Sequence, residues 1–134
     1  MNIDPIYSGL DEEQRSAVSA MDRSDRLIEL ASLRNRPTRE LMAELAGLAS
    51  IPVVHYIELI ENPTATVPLR LIHEYQCVPI RIDEETAAGA PIALATLWPP
   101  DEMMDRWIYA VSGRKAHWYM GDPEQITETI TQHF

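Results

Sequence analysis

The stretch from Ile92 to Met120, IALATLWPPDEMMDRWIYAVSGRKAHWYM, most constrains what this chain can fold into. It reads as strand, proline turn, helix, glycine stop and strand. Ile92, Ala93, Leu94, Ala95 and Leu97 place apolar groups on both faces of the first strand, which suits a central position in a sheet. Asp101 opens the helix, and Met104, Trp107, Ile108 and Val111 form its expected buried stripe. Gly113 stands where a helix C′ residue belongs. In the last segment Ala116, Trp118 and Met120 face one way. A strand feeding a helix N-terminus is a common place to hold a phosphate. Here the turn is Trp98-Pro99-Pro100-Asp101-Glu102. It has no glycine to allow close backbone approach, and two carboxylates complement the helix dipole where an anion would sit. The unit reads as architecture, so function must lie elsewhere.

The rest of the chain changes period part-way. The first ten residues are expected to be loose. Asp11 with Gln14 forms a capping-box pattern that opens a helix to about Met21, with only Ala17, Val18, Ala20 and Met21 as apolar content. Ser24 is expected to cap a second helix, with Leu27, Ile28, Leu30, Ala31 and Leu33 as a broad apolar face; Asn35-Arg36-Pro37 breaks it. Thr38 is expected to cap a third, carrying Leu41, Met42, Leu45, Leu48 and Ala49, and Pro52 ends it. Ile51 to Ile60 fits either a strand or a short helix. Asn62-Pro63-Thr64 is a breaker, and Pro68 begins a short helix through Tyr75. From Cys77 the period is two: Val78, Ile80 and Ile82 share one face, and Cys77, Pro79 and Arg81 the other. Pro79 cannot donate to a ladder, so this strand belongs at an edge or is irregular. An acidic loop from Asp83 to Ala90 contains Gly89. Asp122, Pro123 and Gln125 open a final helix with Ile126, Ile130 and Phe134 on one side. The expected fold is α+β: N-terminal helices followed by a small three-stranded sheet with helices packed on one face. It divides into a helical subdomain over 1–50 and an α/β subdomain over 51–134.

A net charge of −10 over 134 residues argues against nucleic acid and anionic membrane surfaces, and leaves a partly basic protein partner as the fitting class. One cysteine, Cys77, excludes an intrachain disulfide and suggests a reducing compartment. The N-terminus lacks a signal-peptide pattern, and no apolar run is long enough for membrane insertion, so a soluble cytoplasmic protein is expected. No catalytic, cofactor or metal residue stands out. Asp83, Glu84 and Glu85 are consecutive loop acids that repel and stay solvated. His73 and Cys77 are four apart, but no second pair completes a tetrahedral site. His55 and His117 read as half-buried histidines beside tyrosines. Cys77 has no neighbouring base to make it a nucleophile. Trp98, Trp107 and Trp118 read as core residues. Arg34, Arg36 and Arg39 form the one basic cluster, read first as a solvated interhelix loop. Phosphate-loop, dinucleotide and HExxH motifs are missing.

The order of features resembles the N-terminal domain of type II secretion and type IV pilus assembly ATPases. An apolar helix runs into LASIPVV; LIHEYQCVPIRID, the strand–helix–strand unit and DPEQITETITQHF follow. The resemblance covers about Arg26 to Phe134, with Ile51-Pro52, Val78-Pro79, Pro100-Asp101 and Gly113 at matching places. It implies a cytoplasmic, non-catalytic adaptor that docks a motor ATPase onto an inner-membrane platform protein. Some members bind cyclic di-GMP through paired Arg-Leu-Gly motifs. Arg26-Leu27-Ile28 and Arg70-Leu71-Ile72 both lack the glycine, so cyclic di-GMP is not expected to bind. The partner-facing residues expected are Ala17, Val18, Met21, Arg34, Arg36 and Arg39, because the leading helix has little apolar material to bury internally. Two other readings stand beside this one: a cyclic di-GMP sensor, and a small acid–base enzyme using His55, His73 or the loop acids.

Overall fold

The computed structural model describes residues 2–82 and 90–134. The loop acids Asp83, Glu84 and Glu85, and Gly89, lie outside the described residues. The fold is α+β, with three strands in the order β1-β2-β3.

The N-terminal residues are built in rather than loose. A single 3-10 turn over Asp4–Tyr7 buries Ile6 completely, and the Ile6 carbonyl accepts a hydrogen bond from Arg34 Nη1 at 2.9 Å. Arg15 pairs with Asp4 and lies over the Tyr7 ring. Helix α1 (Glu12–Ala20) opens on a complete capping box: Gln14 N donates to Asp11 Oδ1 and Asp11 N to Gln14 Oε1. Helix α2 (Arg23–Arg34) starts before Ser24. The backbone is extended at Met21 and turns helical at Arg23, which leaves Ser24 inside the first turn with no capping role. Asn35 closes α2 in the left-handed region at φ 52, a conformation its short polar side chain tolerates. In helix α3 (Thr38–Leu48) Thr38 is likewise the first helical residue, and its side chain makes no cap.

The ambiguous segment is neither regular strand nor helix. It runs extended past both edges of the sheet, with a parallel bridge from Val53 to Met120 and an antiparallel bridge from Leu59 to Ile80. Pro52 has no N–H, but its carbonyl accepts from Met120 N at 2.9 Å. The Asn62-Pro63-Thr64 breaker carries a four-residue helical turn, α4 (Pro63–Thr66), with proline in its first turn. Helix α5 (Leu69–Tyr75) then leads to β1 (Cys77–Pro79).

Strand β1 is short and lies at an edge, as a proline at position 79 requires. The expected alternation ends early: Cys77, Val78, Pro79 and Ile80 are all buried, whereas Ile82 is exposed. Strand β2 (Ile92–Thr96) is central, pairing antiparallel with β1 (Val78 opposite Ala95) and parallel with β3 (Ala116–Met120; Leu94 opposite Trp118). Helix α6 (Glu102–Ser112) is the crossover between the two parallel strands, and Gly113 ends it at φ 71. Helix α7 (Pro123–His133) follows, with Asp122 Oδ2 accepting from Gln125 N. At Gly121 a Cβ would stand 2.8 Å from Ile126 Cδ1, so the buried Ile126 side chain would have to shift to admit one. The core runs continuously from Ile6, Val18, Leu27 and Leu45 to Leu94, Ile108, Met120 and Ile126. Helix α2 packs on α1, α3 and α7 and so carries the helical half onto the sheet side.

Candidate functional site

The turn between β2 and α6 is closed by the protein's own groups. Asp101 Oδ1 accepts from Met104 N at 2.9 Å, which caps the helix as its acid predicts. The turn's exposed-looking acceptors are taken by Arg23, from α2. Its guanidinium donates to Thr96 Oγ1 (2.9 Å), the Trp98 carbonyl (2.6 Å) and the Pro99 carbonyl (3.1 Å). Burial lowers the Arg23 pKa to about 10, and its Nε is buried without a hydrogen-bond partner. Arg26, one turn along, donates to the Met21 and Ser19 carbonyls and lies over the Trp98 ring. Arg23 therefore fastens α2 to the end of β2 and the turn after it, while Arg26 ties α2 to the end of α1 and to Trp98. No spacing rule signals this, because a clamp to carbonyls 75 residues away leaves no local pattern.

The basic cluster near Arg36 is largely neutralised. Arg34 and Arg36 converge on Glu44, at 3.5 and 2.6 Å, and Arg36 also pairs with Glu40. The hydrogen bond from Arg36 holds the Glu44 carboxyl below its ordinary range, and the same bond raises the Arg36 pKa. Arg39 is exposed beside this network. In α1, Ala17 is exposed and Met21 half-buried, but Val18 is fully buried. Val18 is thus a core residue and is withdrawn from the partner-facing set. It is the one apolar side chain that α1 turns inward against α2, so low apolar content did not leave the helix unpacked.

The histidines do not converge. His73 Nε2 lies 3.2 Å from the Phe134 carbonyl, His117 stacks at a tilt on Tyr119, and His55 is exposed. Among the described residues, no three His, Cys, Asp or Glu side chains come together as a metal site. Cys77 is fully buried, and burial pushes its thiol up to about 12. The thiolate needed for nucleophilic attack is suppressed at neutral pH.

Two of the surface features combine exposed apolar side chains with a defined edge. The first is a groove of about 400 Å³ between α2 and α7, floored by Ile28 and Pro123 and edged by Asp25, Glu124 and Glu128. The second corrects the expected stripe of α6. Met104 and Ile108 are buried, but Trp107 is 50% exposed and Val111 44% exposed, beside Met103 at 52%. Trp107 is therefore not a core residue, unlike Trp98 and Trp118. The helix is rotated so that Met104 and Ile108 face inward, and the Trp118 Nε1–Asp105 Oδ1 bond at 2.6 Å holds it there. Trp107 and Val111 fall on the outer flank.

Comparison with solved structures places this architecture. MshE, in a structure with cdg, superposes with a TM-score of 0.63 at 15% identity, over 92% of this chain and 90% of that one. The N-terminal domain of XpsE superposes at 0.57 in each of two crystal forms. In one the identity is 18%, over 91% of this chain and 81% of that one; in the other it is 16%, over 98% and 85%. The fold is that of an N-terminal domain of the type II secretion and type IV pilus assembly ATPases. No protein-family model and no curated protein sequence matches the chain. In the β2–α6 unit the strand, turn and helix N-terminus support a crossover helix and an arginine clamp, as the acidic, glycine-free turn led one to expect. At the positions of the two Arg-Leu-Ile triplets, Arg26 is engaged with α1 carbonyls, while Arg70 is exposed on α5 beside Glu74.

Proposed function

We propose that this chain is a non-catalytic protein-interaction domain of a bacterial secretion or pilus motor, an adaptor that docks the motor ATPase in the cytoplasm onto an inner-membrane platform protein. The observation that carries the reading is the likeness to the XpsE N-terminal domain and MshE along nearly the whole chain. The net charge of −10 and the acidic groove between α2 and α7 supply the chemistry. A basic helix or loop with one apolar side chain would seat the latter on Ile28 and set its cations against Asp25, Glu124 and Glu128. Such rim charges act mainly on partner choice and association rate.

The test is capture of the cytoplasmic domain of the cognate platform protein by this chain. Ile28→Asp and the double variant Glu124→Lys/Glu128→Lys should each weaken capture about tenfold or more, with an unchanged melt. Undiminished capture by both would remove the groove, and no capture by the unaltered chain would remove the adaptor role.

The MshE structure with cdg favours a second reading, cyclic di-GMP sensing. Against it, Ile28 and Ile72 stand where the Arg-Leu-Gly pattern would have glycine, and a side chain there blocks close backbone approach. Calorimetric titration decides: heat that saturates with one dinucleotide per chain would restore this reading.

A further inference from the structure

We infer that the outer edge of β3, at Ala116 and Trp118, is a strand-addition site that takes an extended peptide segment of another protein, carrying acidic side chains, in the cleft between that edge and α6. This is independent of the platform-docking reading and uses a different face from the groove between α2 and α7.

The hydrogen-bond pattern leaves this edge unfinished. The ladder from β3 to β2 uses alternate residues: the Lys115 carbonyl accepts from Ile92 N at 2.8 Å, and Gly121 N donates to the Thr96 carbonyl at 2.9 Å. Ala116, Trp118 and Met120 therefore turn their N–H and C=O groups to the other side. Met120 is filled there by the chain itself. Its N–H donates to the Pro52 carbonyl at 2.9 Å, and its C=O accepts from Val54 N at 2.8 Å. That segment runs parallel to β3. One step further back it would have to supply the Trp118 carbonyl with a hydrogen from residue 52, and Pro52 has none to give. Ile51 N is spent on the Ala46 carbonyl at 2.9 Å, and Ser50, at φ 56, joins the segment to the end of α3. Among the described residues, no group pairs with the backbone N–H or C=O of Ala116 or Trp118. Trp118 is only 8% exposed, so its unpaired backbone groups are poorly served by water and gain from a partner's. Ala116 is half-buried and opens onto the cleft. The outward groups recur every second residue, about 6.6 Å apart. An extended backbone complements that repeat and a helix does not.

The cleft sets the side-chain chemistry. It holds about 470 Å³ and is lined by Asp105, Arg106, Tyr109, Lys115 and Ala116. Arg106 and Lys115 make no ion pair among the described residues, whereas Asp105 Oδ1 is already bonded to Trp118 Nε1. On a chain of net charge −10 this lining is locally cationic, which favours acidic over basic side chains on the added strand. Tyr109, 56% exposed, adds an apolar wall. Two edge residues and a pair of rim cations make a weak site, with dissociation at about 100 μM.

The test is a titration of the 134-residue chain with a capped peptide alternating valine and glutamate over about seven residues, a common strand length, followed by amide NMR and hydrogen exchange. At about 1 mM peptide the Ala116 and Trp118 amides should shift and exchange more slowly, while the Met120 amide, already bonded, keeps its protection. Lysine in place of glutamate in the peptide should weaken binding about tenfold, as should Arg106→Glu with Lys115→Glu in the protein; the lysine peptide should bind that double variant as the glutamate peptide binds the unaltered chain. The glutamate peptide N-methylated throughout keeps its charges but cannot donate, and should not bind. No response at about 1 mM, or an equal response to the N-methylated or the lysine peptide, overturns the proposal. So does protection of the Ala116 and Trp118 amides in the dilute chain alone, which would mean that the chain covers its own edge. Protection that rises with chain concentration in the absence of peptide would give the edge to a second copy and overturns the peptide occupant.

Discussion

Helices α1 and α6 invert what their compositions suggest. Of α1's few apolar side chains only Val18 is buried, and it is completely enclosed. Helix α6 carries Met103, Met104, Trp107, Ile108, Tyr109 and Val111, and buries only Met104 and Ile108. The difference lies in what stands opposite. Helix α1 lies against α2 in a part of the core that also receives Ile6 from the N-terminal turn. Helix α6 rests on one edge strand, β3, so the sheet can cover only a narrow stripe of it. An apolar count measures what a helix could bury; neighbours set what it does bury.

The sharpest way to break this comparison is to charge one position in each helix. Val18→Asp should lower folding stability by about 4 kcal/mol, since an unpaired carboxylate would sit in a closed core. Trp107→Glu should stay within about 0.5 kcal/mol by chemical denaturation of the monomer. Similar losses at both sites would mean that α6 is not exposed as described. The adjacent methionines make the next contrast. Met104→Ala should cost about 3 kcal/mol through the cavity it leaves, while Met103→Ala should cost less than about 0.5 kcal/mol. Arg23 tests the inner attachment of the same unit. Arg23→Ala leaves Thr96 Oγ1 and two carbonyls without their charged donor, which should cost about 2 kcal/mol. It should also loosen the packing around Trp98, seen as a red shift in emission.

A pH slope from the core side makes the last contrast. Cys77 has an ordinary value near 9 and is raised to about 12 in the fold. Its neutral thiol therefore contributes stability fully below pH 9, and that stability is lost as pH rises through 9 toward 12. Each pH unit in that window should cost about 1.4 kcal/mol. Near pH 9, where Arg23, lowered to about 10, is still mostly protonated, Cys77→Ala should flatten the slope. An unchanged slope would assign alkaline sensitivity to another group.

Local signals were legible wherever the chain closes a short hydrogen-bonded loop on itself. The Asp11–Gln14 box, the Asp101 and Asp122 caps, the Gly113 stop and the edge position of Pro79 each act within three or four residues. Ser24 and Thr38 followed the same rule and did not cap, because their helices had already begun by those residues. Of the partner-facing residues expected, Ala17 and Arg39 are exposed, Val18 is enclosed, and Arg34 and Arg36 are tied to Glu44. Neither the burial of Ile6 nor the Arg23 clamp had a local signal, since both depend on groups many residues away.

By itself the amino-acid order determined the α+β class, the central place of β2 and the caps that start α1, α6 and α7, because periodicity and capping are set by near neighbours in the chain. The tertiary structure alone decided which side of α6 faces water, how α2 is fastened to the sheet and which arginines are already neutralised. Those outcomes depend on distant segments arriving at one place, and side-chain burial and charge pairing are properties of that meeting.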